Sequence, residues 1–163
     1  MNAFRAACAI SLSLAPALAG AGDIGWRTYV LPNSGAAVEV PVTMFSKDAE
    51  LPDGGLGRRF TTGDGRADLT VQAIPNSAND SPAVFLAKMR PPSGIVYRRV
   101  TANFFVVSSV RNDRIWYNRC NRADGAGGYM NCILINYPAR EKRQWDGVVT
   151  RISHSLAQQA AAE

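Results

Sequence analysis

The sequence predicts an α+β fold, an antiparallel β-sheet with a C-terminal amphipathic helix and a short middle helix packed on it, and three observations carry that reading. Three long apolar-aromatic runs, residues 104–111, 114–121 and 129–137, are separated only by turn chemistry, which is the pattern of a meander. Further on, Trp145, Val148, Val149, Ile152 and Leu156 follow the i, i+3, i+4, i+7, i+11 spacing of one helix face. In the first half, Leu69, Val71 and Ala73 alternate with Asp68, Thr70 and Gln72, the period-two pattern of a half-buried antiparallel strand.

Taken in order, the chain begins with a tripartite segment. Arg5 is the only charge before Asp23, residues 6–19 are apolar or small, and Ala17-Leu18-Ala19 and Ala19-Gly20-Ala21 both offer small-x-small exits. That order reads as a cleavable signal peptide over residues 1 to about 21. The apolar stretch is too short to cross a hydrocarbon core of about 30 Å as a helix, so no stable membrane anchor is expected after cleavage. The expected location is periplasmic or secreted, and residues 22–163 make one domain of ordinary size.

Within that domain, residues 26–31 and 37–40 read as a hairpin around the Pro32-Asn33-Ser34-Gly35 turn. The turns Asp53-Gly54-Gly55 and Thr62-Gly63-Asp64-Gly65 flank a strand over 57–61, and residues 67–74 form the next strand. Asp80 or Ser81 then caps a helix that starts at Pro82, where a missing N–H costs nothing, and runs to about Arg90. Pro91-Pro92 stops it. A strand over 96–101 joins the meander, a helix covers residues 139 to about 156, and the Ala- and Gln-rich tail after Leu156 is expected to fray. His154 falls nine positions from Trp145, about 180° around the helix, and so should face solvent.

Loss of Cys8 with the signal leaves Cys120 and Cys132. In an oxidising compartment an isolated pair is expected to be a disulfide. The turn at residues 124–128 makes the two equidistant from its tip, so they can stand opposite each other across a hairpin ladder.

Loss of Arg5 leaves 17 Lys and Arg against 13 Asp and Glu, a net of +4, and 14 of the 17 cations are Arg. Arginine favours forked contacts with carboxylate or phosphate, so an envelope protein or an anionic envelope component is the expected partner. Export argues against nucleic acid. The sequence contains no G-x-S-x-G elbow, no phosphate loop and no H-E-x-x-H pair, and its run from Asp64 to Asp68 places Arg66 where a calcium ligand belongs. No cofactor, metal or catalytic residue is expected on this reading.

One constellation remains, in which Arg98, Arg114, Trp116, Tyr117 and Arg119, with Tyr97, Arg99 and Arg111 around them, lie on the meander. Alternation places Tyr117 and Arg119 on one face of their strand and Trp116 on the other. Such a surface could grip anions or flat groups through stacking and forked donors. Equally, Trp116 or Tyr117 could be core, with the arginine stems covering apolar surface. The alternative function is a small envelope hydrolase in which Asp53, Asp64 and Asp68 converge from their turns.

The order of hairpin, Gly-rich turns, strand, short helix, meander and C-terminal helix resembles the PsbP-like and DcrB-like α/β sandwiches. Residues Tyr117-Asn118-Arg119-Cys120, Tyr137-Pro138-Ala139-Arg140-Glu141-Lys142 and Val149-Thr150-Arg151-Ile152-Ser153 also resemble uncharacterised exported proteobacterial proteins. The resemblance implies a sandwich fold and an accessory or binding role. It carries over no site residue, since no site motif matches.

Overall fold

The computed structural model describes residues 25–51, 53–91, 93–123 and 128–158, the side chains of residues 157 and 158 excepted. The expected signal peptide and the tip of the glycine-rich turn, residues 124–127, lie outside the described residues.

β1 (Trp26–Val30) and β2 (Ala36–Pro41) form the expected hairpin, with Asn33 and Gly35 of its turn at positive φ. β3 (Lys47–Glu50) is an addition to the sequence reading: Lys-Asp-Ala-Glu is exposed at every position, so no apolar period announces it. β4 (Leu56–Thr61) and β5 (Asp68–Pro75) follow, joined by the turn at residues 62–65. α1 (Pro82–Lys88) starts where capping chemistry places it, with Ser81 Oγ accepting the Val84 N–H and Pro82 in the first turn. It ends slightly early, at Met89, and Arg90 then takes a φ of 51° before the prolines.

β6 (Ile95–Val100), β7 (Phe104–Arg111), β8 (Arg114–Arg122) and β9 (Tyr129–Pro138) make the meander. The C-terminal helix differs from expectation at its start: Ala139–Glu141 form a 3-10 turn, and α2 (Lys142–Ser155) begins three residues later. Of the tail expected to fray, residues 159–163 lie outside the described residues, and only residues 157 and 158 are described. β10 (Ala157–Gln158) is paired with β2, Ala157 opposite Ala37 and Gln158 opposite Ala36. Their backbone groups find a ladder on the edge of the opening hairpin, where the composition suggests a free end.

The strands build a seven-stranded antiparallel sheet in the order β3-β4-β5-β9-β8-β7-β6 and a three-stranded sheet in the order β1-β2-β10. α2 and the small sheet cover one face of the large sheet. Trp145, Val148, Val149 and Ile152 of α2 are buried there with Val38, Val40, Leu69, Val71, Ile133 and Ile135. Each such side chain contributes about 1.5–3 kcal/mol on leaving water. Trp145 stacks on Tyr137 at 5.3 Å between ring centroids, and His154 is exposed as its helical angle requires.

The opposite face carries a smaller core under α1, made of Phe85, Leu86, Phe105, Val107, Met130 and the two cysteines. Cys120 and Cys132 are direct register partners on β8 and β9, 4.1 Å apart at Cα, and are joined in a disulfide. One alternation rule thus sorts the meander. On β9, Ile133, Ile135 and Tyr137 point towards α2, while Met130, Cys132 and Leu134 point the other way.

Candidate functional site

Strand alternation splits the arginine-aromatic constellation between the two faces. Register fixes the arrangement: Val106 opposes Arg119, Phe104 opposes Asn121, and Arg99 opposes Val106. Arg99, Phe104 and Arg119 are therefore diagonal neighbours on the α2 side, close enough for long side chains to meet. The guanidinium of Arg119 lies 4.6 Å from the Phe104 ring centre and that of Arg99 lies 5.4 Å from it. One ring is thus in contact with two cations.

Tyr117 is held beside this group. Its hydroxyl is 2.6 Å from Ser153 Oγ of α2, and Arg119 donates to the same oxygen at 3.2 Å and to Asn121 Oδ1 at 2.9 Å. Burial raises the Tyr117 pKa above its ordinary value, against the opposing pull of the Ser153 hydrogen bond and the Arg119 charge. Burial also lowers the Arg119 pKa; Tyr117 opposes that shift and the neighbouring Arg99 adds to it. Tyr117 packs against the main core, so its ring joins the helix to the sheet. The strand edge beyond it is open: Val96, Tyr97 and Val110 are 67%, 50% and 41% exposed.

Trp116, Arg111 and Arg114 lie on the face away from α2. Arg111 stacks over the Trp116 ring at 5.4 Å. Arg114 is committed to Asn136 Oδ1 at 2.6 Å and the Arg66 carbonyl at 2.7 Å, which makes it a clamp between β8, β9 and the turn before β5. Arg98 stands exposed on β6. Beside Trp116 the same face opens into a cleft of about 390 Å³, bounded by Arg90 and Ile95 and floored by strands β7, β8 and β9.

Charge is distributed unevenly. Residues 90–122 contain seven arginines and a single carboxylate, Asp113. Among the described residues the ion pairs lie elsewhere, for example Arg58 with Asp48, Arg151 with Glu39 and Lys142 with Asp146; none involves Arg90, Arg98, Arg99, Arg111 or Arg119.

The turn carboxylates are each committed separately. Asp53 accepts the Gly55 N–H, Asp68 pairs with Arg59 at 3.4 Å, and Asp64 takes Thr62 Oγ1, the Arg66 N–H and the Arg66 guanidinium. Those hydrogen bonds, Thr62 first, hold the Asp64 carboxyl well below the usual carboxylate range. The second carboxylate beside Asp64 is Glu141, unnoticed in the sequence, and both grip Arg66. An acid held ionised is poorly matched to proton donation near neutrality.

No motif in the sequence marks Phe104, Ser109 or Ser153 as site residues. Phe104 could have been found from the meander register, which sets it diagonal to Arg119; Ser153 required knowledge of how α2 docks.

No family model matches the sequence. No curated protein matches it either. Among solved structures, the chain is similar to the solution structure of cyanobacterial PsbP (CyanoP) from Synechocystis sp. PCC 6803, with a TM-score of 0.62, 9% sequence identity, and coverage of 88% of this chain and 98% of that one. The fold is PsbP-like, and at that identity the likeness is one of architecture.

Proposed function

We propose that this chain is an exported accessory or binding module of the cell envelope that grips an acidic protein partner through the β6–β8 end of its large sheet. The observation that carries the reading is the Arg99–Phe104–Arg119 group, two guanidiniums on one ring, neither in an ion pair among the described residues, beside the exposed apolar side chains of Val96, Tyr97 and Val110. Guanidiniums brought together without a carboxylate repel each other, and an incoming anion relieves that repulsion. Rings and aliphatic side chains beside them supply the apolar contact that a protein interface uses at its centre. Among the described residues β6 is also the edge of the large sheet, and the outer backbone groups of such an edge suit pairing with an extended segment. The disulfide fits an oxidising compartment and so supports export. The hydrolase reading has less support, since Asp53, Asp64 and Asp68 are dispersed among separate partners.

The test is capture of partners from an envelope extract by residues 22–163, followed by calorimetry of the recovered partner with variants. Arg99→Ala and Arg119→Ala should each weaken binding about tenfold at 0.1 M salt. The loss should shrink towards 1 M, where the Debye length falls from about 10 Å to about 3 Å. Tyr97→Ala should weaken binding at every salt concentration. A partner whose affinity ignores all three substitutions would overturn the reading.

A further inference from the structure

The face away from α2 is only partly covered. α1 lies over the Phe105, Cys120 and Met130 end, then stops, because Arg90 turns to positive φ and two prolines follow. Beyond the stop, Ile95 and Arg90 form one bank of the cleft of about 390 Å³, and its floor comes from β7, β8 and β9. That volume is in the range of pockets that take small organic ligands.

Besides Asn118 of β8, its lining has three chemical parts. Val107, Leu134, Ile95 and the Trp116 ring make an apolar bed. Arg90 and Arg111 stand at its margin, and neither is in an ion pair among the described residues. The Arg111 guanidinium already lies over Trp116, 5.4 Å from the ring centre, with its forked donors beside the bed.

The third part is Ser109. It is 2% exposed, lies between Trp116 and Ile95 in register, lines the cleft, and its Oγ has no hydrogen-bond partner among the described residues. A buried hydroxyl without a partner is an anomaly that calls for a reason. Here alanine or valine would fill the same position without stranding a polar atom. The hydroxyl gains its partner if a ligand with an acceptor group occupies the cleft.

The geometry points to a binding site for a small amphipathic carboxylate, its apolar body on Val107, Leu134 and Ile95 and its carboxylate between the Arg111 guanidinium and Ser109 Oγ. A carboxylate suits both donors, since its two oxygens accept a forked guanidinium and a hydroxyl together. The apolar bed selects against small inorganic anions, and the arginines select against neutral chains. This site lies across the sheet from the Arg99–Phe104–Arg119 group. The proposal goes beyond partner binding, and the two are measured on different ligands.

Calorimetry with decanoate, decanol and acetate on the chain of residues 22–163 tests it, with melting curves recorded for every variant. Decanoate below its micelle concentration should bind at one site per chain, at least tenfold more tightly than decanol, and acetate should not compete. Arg111→Gln, at an exposed position, should weaken decanoate about tenfold and leave decanol unchanged. Ser109→Val should melt no lower than the parent, because the lost hydroxyl had no partner, and should bind decanoate at least threefold more weakly. Leu134→Trp should fill the bed and abolish binding of both chains; if it melts early, the Arg111 and Ser109 variants decide. Absence of saturable decanoate binding overturns the proposal. So does equal affinity for decanol, or decanoate affinity that neither Arg111→Gln nor Ser109→Val alters.

Discussion

Cys120 and Cys132 meet because two strands of one hairpin bring them to the same rung, and α1 then seals them under Phe85 and Leu86. Both are at most 1% exposed, so a reductant reaches them only when the local structure opens. Closing a loop with a sequence separation of 12 stabilises by about 2–4 kcal/mol in the chain-entropy view. Reduction should therefore lower the melting temperature by about 5 °C or more. Thiol titration of the denatured, unreduced protein, residues 22–163, should find no free thiol. Tyr117 illustrates the opposite outcome for a residue marked by its chemistry. Its hydroxyl bonds Ser153 and its ring packs against the core, so Tyr117→Ala should cost folding stability, where a surface contact would cost affinity.

At the scale of elements, two glycines separate close approach from helix propensity. A Cβ on Gly57 of β4 would stand 2.1 Å from the Val71 carbonyl oxygen and 2.8 Å from the Gln72 Cα, both backbone atoms of β5 that cannot swing away. Gly57→Ala should destabilise the protein by about 1–3 kcal/mol as the strands are forced apart. Gly147 of α2 is exposed and has nothing within 4 Å of the same position. Gly147→Ala should stabilise by about 0.5–1 kcal/mol, since alanine loses less backbone freedom in a helix. Urea unfolding of the two variants beside the parent reads both values, and a stabilised Gly57→Ala would mean that the β4–β5 approach is looser than described. The elements themselves were legible where a period existed. The meander, the α1 cap and the α2 stripe followed from spacing, whereas β3 and β10 are strands only because a neighbour offers a free edge.

For the molecule as a whole, stability is bounded on both sides of pH by groups the fold displaces in opposite directions. Tyr137 is pushed up to about 12 by burial, with Asp146 and Tyr117 adding, and Tyr117 and Tyr29 are also raised. Folding therefore favours the neutral phenols. Their contribution is fully present below the unfolded value of about 10 and is lost as pH rises from there towards about 12. Asp64 and Glu39 are displaced downward, by the Thr62 and Arg66 hydrogen bonds and by Arg151. Their contribution is present above the ordinary carboxylate range and is lost as pH falls through it. Melting temperature should thus decline below about pH 4 and again above about pH 10, and Tyr137→Phe should flatten the alkaline decline. An alkaline limb identical in Tyr137→Phe would place its cause elsewhere.

Local pattern along the chain specifies the fold class, the order of most elements, the pairing of Cys120 with Cys132 and the outward direction of His154. Each of these depends on local period, cap or turn chemistry, which act over a few residues. It also marked Arg98, Arg114, Trp116, Tyr117 and Arg119 as one group, because composition gathers what lies close along the chain. How that group divides is a matter of packing. The pleat sends Tyr117 and Arg119 towards α2 and Trp116 away from it, Asn136 and the Arg66 carbonyl engage Arg114, and the early stop of α1 leaves a cleft over Ser109. Those outcomes depend on register across strands and on where helices dock. Both are set by long-range packing, and no window of the sequence contains it.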